Sequence, residues 1–141
     1  MIRALILFVV LSGSQQAQAA VGFTFDFVYL CRATAITEKS VNVCSRKIPQ
    51  LAERGKAALA GWKKRNAKDA QRGVEMCEAE IKRQHFTDEQ QMEAEDQMER
   101  LEVDYFNAME TNLDTKGGSE CFDFLSRTER SEHDLSHVFP Q

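Results

Sequence analysis

Residues 87–113 read TDEQQMEAEDQMERLEVDYFNAMETNL, and the order of residue types in this stretch sets the class of the fold. Thr87 followed three residues later by Gln90 makes a capping box. The threonine hydroxyl takes up an orphan amide of the helix start, and the glutamine side chain returns to the threonine amide. Asp88 and Glu89 set negative charge against the positive end of the helix dipole. Ala94, Met98, Leu101, Tyr105, Met109 and Leu113 then recur at threes and fours, a spacing that gathers side chains on one helix face. These residues are expected to face a core, with Glu95, Glu99 and Glu102 mainly outside. Gly117-Gly118 stops the element, because glycine adopts the left-handed conformation of a helix end at little cost.

The same spacing continues on both sides. Upstream, Ile48, Leu51, Gly55, Ala58 or Leu59 and Trp62 mark an amphipathic helix that Pro49 either starts or kinks. Asn66, after the polar run Lys63-Lys64-Arg65, is the expected break before Ala70, Val74, Cys77 and Ile81 resume the pattern. A turn is expected near His85 and Phe86, where the histidine suits a helix-end role. Further upstream, Thr37 or Ser40 caps a short helix with an inner face of Val41, Cys44 and Ile48. Phe23, Phe27, Leu30 and Thr34 fit a first helix from about Thr24 to Ala35, while the alternation of Val21, Phe23, Phe25 and Phe27 fits an extended arm equally well. Downstream, a last short helix buries Cys121, Phe124 and Leu125. With 2 prolines and 7 glycines in 141 residues, helices are favoured over strands. The expectation is an all-α protein: a small bundle of four to six helices over 20–125, followed by a polar C-terminal tail over 126–141, frayed except around Leu135, Val138 and Phe139.

The amino-terminal segment has a different character. Arg3, the apolar run from Ala4 to Leu11 and the small residues of Ala17-Gln18-Ala19 form the pattern of a signal peptide over 1–19, with a mature start at Ala20. The apolar run is too short to span a bilayer, and no second one follows. No cysteine stands at the cut to carry a lipid anchor. Export, with the bacterial periplasm as destination, places Cys31, Cys44, Cys77 and Cys121 in an oxidising space, where two structural disulfides are expected. Zinc binding and redox chemistry are disfavoured by the absence of a CxxC pair. Of the three possible connectivities the spacing favours Cys31–Cys44, nearly symmetric about the expected turn at Thr37, with Cys77–Cys121 remaining. The shorter loop contributes about 3 kcal/mol by the chain-entropy model.

Enzyme signatures are few. His133-Asp134-Leu135-Ser136-His137 sets two imidazoles at i and i+4, so a metal-dependent hydrolase using His133 and His137 is the rival reading, although a zincin carries glutamate after its first histidine. No GxSxG and no phosphate-binding glycine loop occur, and no cofactor is expected. Charge is the most uneven property. Residues 20–74 hold 11 Lys+Arg against 4 Asp+Glu, whereas 75–141 hold 6 against 18. Either the basic stretch Arg54–Arg72 packs beside the acidic helix Asp88–Asp104, or that helix offers Glu93, Asp96 and Glu99 to a cationic protein. Nucleic-acid binding through Lys63, Lys64, Arg65 and Lys68 lacks interleaved aromatics.

In this layout of export signal, helices and paired cysteines, the chain resembles the small all-helical, disulfide-bonded periplasmic immunity proteins that neutralise secreted bacterial toxins. The likeness is one of architecture, and it implies an inhibitor or immunity-type binder acting without catalysis. An envelope adaptor or assembly component is the nearest variant.

Overall fold

The structure, a computed structural model, describes residues 22–138. The expected signal peptide over 1–19, the expected start at Ala20 and the last three residues lie outside the described residues. Among the described residues four helices follow one another: α1 Phe25–Lys47, α2 Ala52–Arg83, α3 Asp88–Lys116 and α4 Ser119–Glu129, with 3-10 turns at Pro49–Leu51 and Leu135–His137. The fold is the all-α, doubly disulfide-bonded arrangement expected.

The amino-terminal phenylalanines take the helical alternative. Thr24 caps α1, its hydroxyl accepting the Phe27 amide at 3.4 Å. Phe23 stacks on Phe27 with ring centroids 4.9 Å apart, and Phe25 stacks on Tyr105 of α3 at 4.5 Å. One helix of 23 residues then replaces the two expected here, bent at Arg32, where φ is −131°. No turn forms at Thr37. Thr37 and Ser40 are buried inside α1, and Ser40 donates its hydroxyl back to the Ile36 carbonyl at 2.9 Å. A serine that satisfies itself on the preceding turn needs no helix start, and Thr37 hydrogen-bonds Tyr29 instead, so neither residue acts as a cap.

α1 ends where the chain must. Ile48 precedes a proline and leaves helical geometry (φ −133°, ψ 83°), its amide donating to the Cys44 carbonyl at 2.8 Å. Pro49 starts the 3-10 turn, and α2 returns antiparallel to α1. Gly55 sets the approach of the two helices: a Cβ there would stand 3.0 Å from Val41 Cγ1 and 3.1 Å from Ser45 Oγ. α2 runs unbroken through Asn66 for 32 residues, about 48 Å at 1.5 Å per residue. Asn66 is therefore no break. It is buried, and its amide is used elsewhere. His85 forms the turn after α2 in the left-handed region at φ 51°.

α3 begins and ends as its sequence dictates. Gln90 N–H donates to Thr87 Oγ1 at 3.3 Å, and the Thr87 amide donates to Gln90 Oε1 at 3.0 Å. Gly117, at φ 76°, donates its amide to Leu113. Ala94, Met98 and Leu113 are buried, while Leu101, Tyr105 and Met109 are half-buried against the core. Phe106, outside the expected stripe, is buried as well. Glu102, expected outside, turns toward α1 and is only 17% exposed.

The cysteines are all paired, but not as expected. Cys31 bonds Cys77, tying α1 to α2, and Cys44 bonds Cys121, tying α1 to α4. The preference for Cys31–Cys44 and Cys77–Cys121 rested on the turn at Thr37. With α1 continuous, Cys31 and Cys44 stand about 20 Å apart along one axis, far beyond the roughly 7 Å Cα limit of a disulfide.

The carboxy-terminal segment is built into the bundle. α4 crosses residue 126 and continues to Glu129, and the chain beyond it folds back onto α2. There Leu135, 1% exposed, joins Ala33 and Trp62 in a second small core.

Candidate functional site

The acids of α3 divide into two sets according to what stands opposite. Where α1 crosses the carboxy-terminal half of α3, Glu102 receives Arg32 at 3.1 Å and Lys39 at 3.5 Å, Glu110 receives Arg46, and Asp114 receives Lys47 at 2.8 Å. The amino-terminal half lies beyond that crossing. Glu93, Asp96 and Glu99 are exposed there, and Asp96 pairs with Arg100 of its own helix. Met92, Asp96, Glu99 and Val103 follow at i, i+4, i+7 and i+11, within about 60° of arc at 3.6 residues per turn. This face is opposite the one that buries Ala94, Leu101 and Tyr105. Met92 is 65% exposed and Val103 45%, so the face is acidic with two apolar points, and Glu93 stands on its flank.

The basic stretch of α2 does not neutralise this face through its described pairs. Arg54 grips Glu129 of α4 with two nitrogens at 2.8 Å, Lys63 reaches Glu38 of α1 at 2.7 Å, and Arg65 meets Asp134 at 3.1 Å. Arg54, Lys63 and Arg65, expected beside Asp88–Asp104, thus pair with α4, α1 and the carboxy-terminal segment instead.

His133 and His137 lie in that segment, and the α-helical spacing expected for them does not form. Residues 131–134 turn, with Ser131 at φ 67°, before the 3-10 turn begins at Leu135. The His133 carbonyl accepts the Trp62 indole N–H at 2.9 Å. Its ring packs on Phe124 at 5.4 Å, and its Nδ1 is 3.4 Å from Thr128 Oγ1. Burial, aided by the charge of Arg127, holds the His133 pKa below its ordinary value, so the ring is neutral at pH 7. His137 is exposed. Among the described residues no group of three or more His, Cys, Asp or Glu side chains is arranged to hold a metal ion.

Asn66 holds the segment in place. Its Nδ2 donates to the Trp62 carbonyl and to Asp134 Oδ1, each at 2.9 Å, and its Oδ1 accepts the Leu135 amide at 2.7 Å. Burial opposes the charge on Asp134, but hydrogen bonds from Arg65 and Asn66 outweigh it and keep the carboxyl below its ordinary pKa.

Docking of the segment closes one side of a cleft of about 290 Å³ between α1, α3 and α4. Phe25, Tyr29, Tyr105 and Phe124 wall it, and Asp26 and Glu132 stand at its edge. Burial raises the Tyr29 pKa despite a hydrogen bond with Thr37, so its phenol stays protonated. Sequence reasoning missed this cleft. The clustered aromatics near residue 25 and Tyr105 in the α3 stripe were its visible half, whereas the half supplied by residues 132–138 required knowing that they dock.

The chain matches no protein-family model, no curated protein and no solved structure. No helix among the described residues is long and apolar enough to cross a membrane.

Proposed function

We propose that the chain is exported to the periplasm and works there by binding a cationic protein through the outward face of α3, as an inhibitor or immunity-type binder. One observation carries the reading. Asp96 and Glu99 share an exposed face with Met92 on the half of α3 that α1 does not cross, and exposed Val103 continues that face one turn further. Acidic residues steer a cationic partner toward the surface, and exposed apolar side chains among them supply contact area once it arrives. The disulfides agree with an oxidising destination.

The test is affinity capture from envelope extract, using the mature chain and a variant carrying Glu93→Lys, Asp96→Lys and Glu99→Lys. The native chain should retain a basic protein, and the variant should lose it through an association rate lowered about tenfold or more at low salt. Circular dichroism should be unchanged, since all three side chains are exposed. Capture of the same protein at an unchanged rate by the variant refutes the surface.

A further inference from the structure

The cleft closed by residues 132–138 lies apart from the acidic surface of α3, sharing with it only that helix, whose Tyr105 faces the opposite way. Its walls are aromatic: Phe25 and Tyr105 stack on one another, and Phe124 packs against His133 on the other side. Its lining is acidic, although Asp134 is paired with Arg65 at 3.1 Å and Glu132 with Arg130 at 3.4 Å. Asp26, Glu132 and Asp134 line it, and none of its described lining residues is a lysine or an arginine, in a chain with 18 of them. Two histidines also line it: His133, whose ring burial holds neutral at pH 7, and His137, exposed at its mouth.

Aromatic faces carry negative electrostatic potential and attract a cation, the more so where water is partly excluded. Carboxylates at the rim reinforce that potential. An anion gains no lysine or arginine from the lining and meets the rim carboxylates, and a neutral apolar molecule uses the walls but not the charges. We infer that this cleft binds a small organic cation with an apolar body, of the arylalkylamine class, with its ring between the aromatic walls and its ammonium toward Asp26 and Glu132. A volume of about 290 Å³ lies at the small end of ligand pockets and has room for one ring with a short chain.

Three probes of one shape test this on the oxidised full chain by NMR titration: phenethylamine, 2-phenylethanol and 3-phenylpropionate. The amine should shift the ring signals of His133, Tyr29 and Tyr105 saturably and bind about tenfold or more tighter than the alcohol. The carboxylate should not bind at millimolar concentration. Asp26→Asn and Glu132→Gln, both at exposed positions, should each weaken the amine several-fold while leaving the alcohol unchanged. Equal affinity for amine and alcohol would reduce the cleft to an apolar hole and overturn the inference. Shifts mapping outside the cleft, or no saturable binding by the amine, overturn it equally. Since all three probes are applied to the native chain, misfolding of a variant cannot mask the result.

Discussion

Asn66→Ala should release the carboxy-terminal segment from α2 while leaving the four helices folded. The substitution removes three hydrogen bonds, to the Trp62 carbonyl, to Asp134 and from the Leu135 amide. If the segment stayed docked, the Leu135 amide would be buried without an acceptor, at a cost of about 1–3 kcal/mol. Asp134 would also lose a charge-assisted donor while keeping Arg65. The segment has a way out. By undocking it gives up the burial of Leu135, about 1.5–3 kcal/mol, and the bond from Trp62 Nε1 to the His133 carbonyl, about 1 kcal/mol net. These two amounts sum to about 2.5–4 kcal/mol, to which the partly exposed Arg65–Asp134 pair adds little, so detachment competes with strained docking. Hydrogen exchange at the Leu135 and Val138 amides should speed up, and Trp62 fluorescence should shift to the red as water reaches the ring. Helical circular dichroism should hardly change. Asn66→Asp sharpens the test. It keeps an acceptor for Leu135 but sets a second carboxylate against Asp134, so undocking should be at least as complete at pH 7 and partly reversed once acid protonates one of the pair. Native-like protection of Leu135 in Asn66→Ala, or a docked segment in Asn66→Asp at neutral pH, would refute the clamp.

Peptide mapping under non-reducing conditions should recover Cys31 linked to Cys77 and Cys44 linked to Cys121. The loops of 46 and 77 residues correspond to about 4 and 4.5 kcal/mol by chain entropy, so removing the Cys44–Cys121 pair should lower the denaturation midpoint at least as much as removing the other. In acid, the depressed pKa of Asp134 means that its stabilisation is complete above the ordinary value of 3.8 and is lost as pH falls through the lower folded value. Trp62 fluorescence should report undocking in that range, and Asp134→Asn should abolish the transition. Phe106→Ala, at a buried ring with Lys39 Nζ 4.2 Å from its centre, should cost about 3–5 kcal/mol in urea titration. Half-buried Leu101→Ala should cost less, and exposed Glu99→Ala within about 0.5 kcal/mol of nothing.

What the sequence disclosed was what is decided locally. The start of α3 is written in Thr87 and Gln90, its stop in Gly117, and its inner face in the spacing of Ala94, Met98 and Leu113, each of which acts within a turn or two of chain. The misreadings occur at polar residues whose partners lie inside the fold. Thr37 and Ser40 have the chemistry of helix caps, but Ser40 bonds the preceding turn and Thr37 bonds Tyr29, so both are buried in mid-helix. Asn66 has the chemistry of a helix breaker, but here its amide joins α2 to a segment nearly seventy residues later. The first of these misreadings propagated. A turn at Thr37 would have brought Cys31 beside Cys44, so the wrong pairing followed from the wrong helix count. The aromatic cleft was hidden for the second reason, since half of its wall arrives with the segment that Asn66 holds.

The charge asymmetry of the chain acquires its meaning from the same geometry. An acidic helix kept only to orient the bundle would meet cations along its length, and the carboxy-terminal half of α3 does, through Arg32, Lys39, Arg46 and Lys47. Its amino-terminal half keeps acids at like-charge spacing: Glu89 with Glu93, Glu95 with Glu99, and Asp96 with Glu99. Each such pair costs a few tenths of a kcal/mol in an exposed helix. Glu99→Lys would turn repulsion with Glu95 into an attractive i, i+4 pair in the favourable orientation, so thermal unfolding should shift upward or stay unchanged. The same substitution should slow association with a cationic partner. A substitution that improves the helix while impairing binding separates the two roles of these charges. If Glu99→Lys instead lowers stability by more than about 1 kcal/mol, the acids belong to the packing of the bundle, and the outward face of α3 is not the docking surface.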